Sequence, residues 1–365
     1  MHKPEYASSA PMNIEARSFD EGLTLPSRFM SKESVVPERA TSQCTVCNDT
    51  SLEIFRVREM QIGLREVFEY GRCDRCGAIS RLSRVHSMSP YYPSSYYSYL
   101  QESMKPKAPR FKSWLRIRRD RALLTRALDP VGRFLGWVSK ETTALYRLVG
   151  LCKPRLMSRV LDVGCGSGRL LRRMAEVGFQ NLIGIDLFAP EDVTCDEENF
   201  RILKGDLALL CGQRFDVIMM HHCFEHFDDQ AAQLRLARDL MTPKSLLLIR
   251  QPLSDGEAFQ KYGAHWFQLD APRHATLHSI NSMRLLVQEC GLRIRNIIWD
   301  STDQQFWASE QYVSNLPMYS EDSYFRKPEE ARFTDGEIRK WKREAAKLNR
   351  DGRGDQAAFY IEQQG

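Results

Sequence analysis

The chain has 365 residues, of which 42% are hydrophobic and 27% charged, so it can bury a real core, and its length suggests two domains or one domain with extensions. Its net charge of +5 is modest and does not by itself indicate a nucleic-acid partner. No apolar run approaches the roughly 20 residues of a membrane span, and the N-terminus lacks the apolar core of a secretion signal. Ten cysteines without such a signal indicate reduced thiols in a cytoplasmic protein.

The N-terminal third begins with a polar segment and continues with two cysteine pairs. Residues 1–40 are rich in Ser, Pro and Glu without sustained periodicity, which predicts disorder. Two C-x2-C pairs, separated by 25 residues, then supply Cys44, Cys47, Cys73 and Cys76. Such spacing predicts a zinc-ribbon-like module over residues 41–88, with a closed and therefore structural thiolate site. The alternative is four reduced cysteines that only pack.

Residues 89–155 are predicted to be a linking region with two parts. The stretch SPYYPSSYYSYL, from Ser89 to Leu100, is a tyrosine-rich hinge that either packs between domains or contacts substrate. Residues 105–126 are strongly basic, and apolar residues recur after them at near-helical spacing, which predicts a pair of basic amphipathic helices. These helices either pack on their own domain or contact an anionic membrane or phosphate groups.

The most informative stretch runs from Val160 to Leu187 and reads as strand, glycine turn, helix and strand. An apolar run leads into Gly164, Gly166 and Gly168, and a second apolar run ends on Asp186. In an open parallel sheet, ligands bind beyond the carboxyl ends of the strands, so the glycine turn and Asp186 are expected to face one small molecule. The spacing G-x-G-x-G differs from the dinucleotide pattern G-x-G-x-x-G, because Arg169 occupies the last position. A glycine turn without a ligand is the structural alternative.

The motif LDVGCGSG, at residues 161–168, resembles the class I S-adenosylmethionine (SAM) methyltransferases. This resemblance implies an α/β fold with a Rossmann-like seven-stranded sheet over residues 156–365, a helical appendage near 320–350 and a final antiparallel strand. It also implies that the glycine motif holds the methionine end of SAM, that Asp186 holds both ribose hydroxyls, and that Asp206 and Leu207 meet the adenine. The expected cofactor-binding residues are Asp162, Gly164, Cys165, Gly166, Gly168, Asp186, Leu187, Asp206, Leu207 and His221.

The order of modules resembles a narrower bacterial group within this superfamily. A zinc ribbon, a tyrosine-rich hinge, the methyltransferase core and the later sequence QFWASEQY, at residues 305–312, occur together in enzymes that are commonly associated with sugars and surface glycans. The resemblance implies a saccharide acceptor that is nucleotide-linked, lipid-linked or part of a surface glycan.

Methyl transfer to a hydroxyl group requires a base, because the alcohol proton is held too tightly at neutral pH. Histidine titrates in the useful range, and two histidines stand out. His226 follows Glu225 just after the fourth predicted strand. His274 lies beside Arg273 in the expected substrate region, Gln251 to His278. Glu225, His226 and His274 are therefore the candidate catalytic residues. The alternative is that Glu225 and His226 only support the loop.

Three other functions remain open at this point. An RNA methyltransferase would use the zinc ribbon and basic segment to hold RNA, but the chain lacks the Asn/Asp-Pro-Pro-aromatic turn of amino-directed enzymes, so a nucleic-acid partner is not favoured. A quinone-type O-methyltransferase has a similar core, although such relatives usually lack the cysteine quartet. A non-catalytic subunit is disfavoured by the intact glycine and acid positions. The expected location is the cytoplasm, with contact at the cytoplasmic face of a membrane through residues 105–126 as an extension.

Overall fold

A computed structural model describes residues 43–92, 110–139, 144–189, 193–195, 199–329 and 332–364. The predicted disorder of residues 1–40, most of the tyrosine-rich hinge and residues 105–109 lie outside this part. The strands are β1 Leu52–Arg58, β2 Val67–Cys73, β3 Ile79–Arg81, β4 Arg159–Val163, β5 Asn181–Asp186, β6 Val193–Cys195, β7 Phe200–Lys204, β8 Phe215–His221, β9 Met241–Pro252, β10 Thr276–Leu277, β11 Leu292–Trp299 and β12 Gln356–Gln363. The helices are α1 Arg110–Thr125, α2 Pro130–Val138, α3 Ala144–Leu151, α4 Arg169–Glu176, α5 Gln230–Asp239, α6 Glu257–Tyr262, α7 Ile280–Glu289, α8 Gln304–Val313 and α9 Asp335–Arg350.

The large sheet confirms the predicted Rossmann-like methyltransferase architecture. Its order is β11-β12-β9-β8-β4-β5-β7-β6. Strands β7, β5, β4, β8 and β9 are mutually parallel, and β12 runs antiparallel to both of its neighbours. The short strand β6 pairs antiparallel with β7 and extends the seven expected strands at one edge. Strands β4 and β8 are buried almost throughout, as expected from their continuous apolar runs.

Local sequence signals fix several element boundaries. The predicted strand–turn–helix–strand unit is observed as β4, α4 and β5. Helix α7 begins after Ser279, whose side chain accepts from the Ser282 N–H in a reciprocal capping box, and Gly291 follows its end with φ +72°. Ser279 and Gly291 therefore mark the two ends of α7.

The cysteine module is joined to the methyltransferase core through a second, four-stranded sheet of order β1-β2-β3-β10. Strand β10 comes from the substrate region and pairs antiparallel with β3, with Thr276 opposite Ser80 and Leu277 opposite Ile79. Hydrophobic residues of the cysteine module and of the methyltransferase core also pack in one buried cluster, which includes Tyr70 from the module and Trp266 from the core. The cysteine module therefore packs directly against residues 251–278.

Two expectations about the helices need correction. The predicted amphipathic pattern is wrong for α1, because Phe111 and Trp114 are exposed whereas Asp120 is buried. Ion pairs with Arg119 and Arg173 compensate the buried charge of Asp120. The expected appendage at 320–350 is helical only over Asp335–Arg350, since residues 320–329 form turns. Among the described residues, no helix combines the length and the apolar character that crossing a bilayer requires.

Candidate functional site

The glycine turn between β4 and α4 adopts a backbone that side chains would obstruct. Gly164, Gly166 and Gly168 have φ values of +68°, +52° and +73°, in the left-handed region that favours glycine. A Cβ at Gly164 would lie 2.5 Å from the Cβ of Cys223, and one at Gly168 would lie 2.5 Å from Cδ1 of Ile202. The glycines therefore let the turn pack against Cys223 and Ile202, while Gly164 stays exposed at the carboxyl edge of the sheet, where this class of fold binds ligands.

Asp186, at the end of β5, lies against this turn. One carboxylate oxygen accepts from the Gly166 N–H at 2.9 Å, and the other accepts from the Phe188 N–H at 2.9 Å. A carboxylate offers about four lone-pair directions, so capacity remains for ligand hydroxyls. The buried Asp162, on β4, lies near enough that burial and the charge of Asp186 raise its pKa to about 7.

His221 ends strand β8 at the same edge. Burial and the neighbouring cations lower its pKa to about 3, so the ring is neutral at pH 7. Within the described part of the chain, neither ring nitrogen has a hydrogen-bond partner although both are buried. Because a buried polar atom without a partner costs free energy, these nitrogens point to a ligand.

The residues at this edge fit SAM by the chemistry they offer. The glycine turn, Asp186 and the two unpartnered nitrogens of His221 supply an open backbone, an acceptor for hydroxyls and unused polar atoms. Cys165 contributes packing, since a Cβ at Gly184 would lie 2.5 Å from its Sγ. Leu187 is exposed beside Asp186 and offers apolar surface.

Of the two residues expected to meet the adenine, Asp206 stays a prediction, whereas the expectation for Leu207 needs correction. Asp206 follows β7 and caps a short 3-10 turn by accepting from the Ala208 N–H at 2.9 Å. Leu207 is only 1% exposed and packs in the core, so it presents no surface to a ring. Leu209, which is 62% exposed, carries the apolar surface of this turn instead. The four-residue 3-10 helix, Leu207–Leu210, leaves Leu209 rather than Leu207 exposed, and the sequence gives no signal for that.

The three candidate catalytic residues lie together after β8. Ligand atoms of Glu225, His226 and His274 all lie within 4.8 Å of one another, and the rings of the two histidines are 4.8 Å apart. The backbone brings the two segments together, because the Ala275 N–H donates to the Glu225 carbonyl at 2.8 Å. Glu225 is fully buried, and its Oε1 lies 3.3 Å from Nδ1 of His222. Burial alone would raise the pKa of Glu225, but the hydrogen bond from His222 and the nearby histidines lower it to about 2.

Both histidines bond a backbone carbonyl through Nδ1, but their surroundings differ. Nδ1 of His226 lies 3.1 Å from the Arg273 carbonyl, which only accepts, so this nitrogen carries the proton and Nε2 is left with its lone pair. Burial and His274 lower the pKa of His226 to about 4, which keeps the ring neutral. His274 is more enclosed, with Nδ1 at 2.7 Å from the Gln268 carbonyl and Nε2 at 3.6 Å from Oδ2 of Asp270.

Three residues around this cluster were not predicted from the sequence. The Tyr92 hydroxyl lies 3.2 Å from Nδ1 of His226, and its ring stacks on Phe188 at 5.0 Å. Asp270 forms a buried ion pair with Arg273, and both lie next to His274. The tyrosine-rich segment was the only available signal for Tyr92, and no pattern in the sequence singled out Asp270 or Phe188.

The four cysteines of the module form one cluster. Cys44 and Cys76 have their sulfurs 3.5 Å apart, as do Cys47 and Cys73, and all four ligand atoms lie within 4.8 Å of one another. These separations exclude a disulfide, whose sulfurs are about 2.05 Å apart. They approach the roughly 3.8 Å expected between thiolates that bind one tetrahedral zinc at 2.3 Å each. Asn48 and Gly77 follow the two pairs with φ values of +57° and +77°, so each pair ends in a left-handed turn.

Hydrogen bonds link the cysteine module to Ser254, His274 and Ser279. The Ser279 side chain donates to the Cys76 carbonyl at 2.5 Å, and the Ser254 side chain donates to the Gly77 carbonyl at 2.6 Å. The Tyr70 hydroxyl donates to the carbonyl of His274 at 2.9 Å. A metal at the cysteines would therefore stabilise the strand that positions His274.

Comparisons with known proteins agree with this geometry. A family described as a methyltransferase domain matches residues 117–297. A ubiquinone biosynthesis O-methyltransferase from Cereibacter sphaeroides is 30% identical over 128 residues, which cover 32% of this chain and 50% of that protein. The protein of the same name from Dinoroseobacter shibae is 24% identical over 216 residues, covering 51% of this chain and 86% of that one.

Among solved structures, a SAM-dependent methyltransferase from Archaeoglobus fulgidus is 20% identical to this chain, with a TM-score of 0.38. The matched part covers 65% of this chain and 100% of the Archaeoglobus chain. The chain spans about half the length of the Cereibacter relative that it matches. The family match and the order of the strands both agree with a methyltransferase fold. Residues 117–297 therefore match the methyltransferase-domain family, and the sheet has the class I methyltransferase fold.

Proposed function

We propose that the protein transfers a methyl group from SAM to a hydroxyl group of a saccharide acceptor, with His226 as the base. When bound, SAM supplies a methyl group on a sulfonium centre. The glycine turn and Asp186 would hold the cofactor, and His221 would lie beside it. The observation that carries the proposal is the Nδ1 contact of His226 with the Arg273 carbonyl, because it leaves Nε2 unprotonated next to the cofactor edge of the sheet.

In this proposal, His226 accepts the acceptor's hydroxyl proton at Nε2 as the oxygen attacks. The imidazolium that forms is stabilised by Glu225, whose low pKa keeps it charged. Tyr92 and the Arg273 carbonyl hold the ring in one orientation through Nδ1. His274 is a positioning residue, because its Nε2 lies near the carboxylates of Glu225 and Asp270 and its side chain is enclosed.

The polar surroundings of His226 support a hydroxyl-rich acceptor. Within the described residues, the hydroxyl of Tyr92, the ion pair of Asp270 with Arg273 and two further histidines lie around this ring. Sugars are bound through such hydrogen-bonding groups combined with aromatic faces, and Phe188 supplies one exposed face. The sequence QFWASEQY supports the site indirectly, because it lies in the mostly buried helix α8 and Ser309 accepts from the Phe267 N–H at 3.2 Å in the substrate region.

A phenolic acceptor is the second candidate. It is favoured by the relatives named as ubiquinone biosynthesis O-methyltransferases, which match 32–51% of the chain at 24–34% identity. A phenol loses its proton more easily than an alcohol, so a weak base such as His226 would suffice.

We further propose one structural zinc ion at Cys44, Cys47, Cys73 and Cys76, and a cytoplasmic location. The clustered sulfurs support the metal, and the described cysteines, none of which forms a disulfide, support a reducing compartment.

The acceptor is tested by incubating the full chain with methyl-labelled SAM and cell extract divided into nucleotide-sugar, glycolipid, phenolic and RNA fractions. We expect label in a saccharide fraction, absent when His226→Gln replaces the wild type. Label in the phenolic fraction alone would favour the second candidate, and label in RNA would contradict both. If calorimetry detects no SAM binding, the assignment of methyl transfer itself is wrong.

A further inference from the structure

Helix α2 is packed with its small residues inward and its large apolar residues outward. Gly132 and Gly136 face α1 so closely that a Cβ would lie 2.7 Å from the Arg118 carbonyl oxygen and 2.8 Å from a methyl group of Leu123. The opposite face carries Phe134 and Trp137, which are 61% and 69% exposed. Its other exposed apolar residues are Val131 and Val138. A soluble helix normally has the reverse arrangement, with its apolar stripe toward the core.

The neighbouring helix and the connecting loop continue this apolar surface. On α1, Phe111 and Trp114 are exposed and stack on each other with ring centroids 6.0 Å apart. Leu128, in the loop between the helices, is 92% exposed. Residues 111–138, here called the α1–α2 hairpin, hold seven of the fifteen large exposed hydrophobic side chains of the described chain and all of its exposed Phe and Trp except Phe188. Such a concentration marks an interaction surface.

The hairpin is also strongly basic. It contains seven cations and two acids, so it carries as much net positive charge as the whole chain. At the end of α1, Arg121 and Arg126 join Lys153 and Arg155 around an open cleft of about 430 Å³. No ion pair links any of these four cations to an acid in the described part of the chain. Because residues 153–156 precede β4, this cleft lies at the edge of the sheet opposite the glycine turn.

We propose that the α1–α2 hairpin docks the protein on an anionic lipid bilayer. The outer face of α2 enters the interface between headgroups and acyl chains, and the four cations of the cleft bind lipid phosphate. This combination of a wide apolar face with Trp and Phe beside Arg and Lys is the physical signature of interfacial helices, whose binding scales with buried apolar area and with attraction to anionic lipids. The proposal goes beyond methyl transfer and does not depend on the acceptor.

The composition of the surface favours lipid over RNA or another copy of the chain. Single-stranded RNA binds aromatic platforms, but Leu128, Val131 and Val138 offer no ring for base stacking. A second copy would bring an equally basic hairpin against this one, and like charges at such close range repel. An anionic bilayer satisfies both the apolar face and the charge.

The test is co-sedimentation of the full chain with vesicles of phosphatidylcholine, with or without an equal share of phosphatidylglycerol. We expect at least about tenfold tighter binding to the anionic vesicles, and at least about a tenfold loss for the double variant Phe134→Ser with Trp137→Ser. The matched control is Leu285→Ser with Val313→Ser, which removes two exposed apolar side chains that neither belong to the hairpin nor line the cleft, and it should bind like the wild type. The variant Arg121→Gln with Arg126→Gln should weaken binding severalfold and flatten its dependence on salt.

All variants are first compared with the wild type for thermal unfolding and SAM binding, so that a misfolded protein is recognised. If wild-type protein stays in the supernatant with anionic vesicles, or if the Phe134 and Trp137 variant sediments like the wild type, the proposal is overturned. Equal binding to neutral and anionic vesicles would contradict the proposed binding of lipid phosphate by the four cations of the cleft. If the wild-type protein binds single-stranded RNA but not vesicles, the surface is an RNA site and the proposal is contradicted. If the wild type self-associates but does not bind vesicles, and the Phe134 and Trp137 variant loses that self-association, the surface is a contact between two copies and the proposal is also contradicted.

Discussion

The hydroxyl of Tyr92 lies 3.2 Å from Nδ1 of His226, which also lies 3.1 Å from the Arg273 carbonyl. Tyr92 follows the cysteine module, His226 follows strand β8 and Arg273 belongs to the substrate region, so three distant segments hold one imidazole. A base works only when its ring is held in the right tautomer and orientation. Under the proposed function, this contact makes Tyr92 a positioning residue for His226.

Tyr92→Phe removes one of the two partners of Nδ1 while keeping the ring that stacks on Phe188. We expect kcat to fall about two- to tenfold, because a neutral hydrogen bond contributes roughly 0.5–1.5 kcal/mol, with KM for SAM unchanged. The control is Tyr360→Phe, which removes a hydroxyl bonded to the Leu148 carbonyl away from the site and should leave kcat unchanged. Equal kcat values for Tyr92→Phe and the wild type would show that the contact does not orient His226.

The roles of the two histidines differ, and separate substitutions distinguish them. His226→Gln should lower kcat by about 10²- to 10⁴-fold, the usual loss of a general base. His274→Gln should cost less, because His274 is enclosed and acts through Glu225 and Asp270. Since the pKa of His226 is lowered to about 4, kcat/KM should stay flat from neutral pH down to about 5 and fall only as Nε2 becomes protonated.

These outcomes are read from initial rates with the acceptor identified by labelling. An equal loss for both variants, or an acid limb near the ordinary histidine value of about 6.5, would contradict the assignment of His226 as the base.

The role of the glycine turn in binding SAM is tested with a matched pair of glycine substitutions. Gly164→Ala and Gly212→Ala both place alanine at a positive φ, which costs about 1–2 kcal/mol. Only Gly164 has a neighbour in the way, the Cβ of Cys223 at 2.5 Å, whereas nothing lies within 4 Å at Gly212. We expect Gly164→Ala to weaken SAM binding in calorimetry at least about tenfold relative to Gly212→Ala, because the turn must shift. Similar dissociation constants for the two variants would exclude the turn from the binding site.

The sequence predicted what depends on local chemistry and periodicity. The strand, turn and helix around Gly164 follow from apolar runs and glycine spacing, and Ser279 caps its helix as its hydroxyl predicts. It did not predict contacts between segments far apart in the chain. The pairing of β10 with β3 and the contact of Tyr92 with His226 depend on tertiary packing, which has no local signature. The amphipathic expectation for α1 failed because ion pairs allow Asp120 to be buried while aromatic residues remain outside.

The cysteine cluster is expected to support the catalytic loop through zinc. Cys73→Ser removes one of four thiolates, so we expect the zinc content measured by elemental analysis to fall from about one per chain to well below half. Because the cluster is bonded to Ser279 and its sheet contains β10, kcat should fall together with the melting temperature. Cys290→Ser is the control, since Cys290 is buried and lies outside the cluster. Full zinc content in Cys73→Ser, or none in the wild type, would contradict the proposed site.

His278 makes stability depend on pH. The ring is fully buried, Nε2 lies 2.7 Å from Oε1 of Gln230 and Nδ1 lies 3.0 Å from Oγ of Ser282. Burial lowers its pKa from the ordinary value of about 6.5 to about 3. Between these values the unfolded chain holds a proton that the folded chain lacks, so the free energy of unfolding falls as the pH drops below about 6.5. At pH 5 this one group should cost about 2 kcal/mol relative to pH 7.

His278→Gln should therefore be less stable than the wild type at pH 7, because it loses buried hydrogen bonds, yet lose less on acidification. We expect its difference in free energy of unfolding between pH 7 and pH 5, measured by urea denaturation, to be smaller by about 2 kcal/mol. His86→Gln serves as the control, because His86 is exposed and its removal should leave the wild-type difference unchanged. Since His221 and His226 also have lowered pKa values, His278→Gln should keep part of the acid sensitivity. An unchanged pH difference in His278→Gln would mean that this histidine is protonated in the folded protein, with its hydrogen bonds rearranged around the charge.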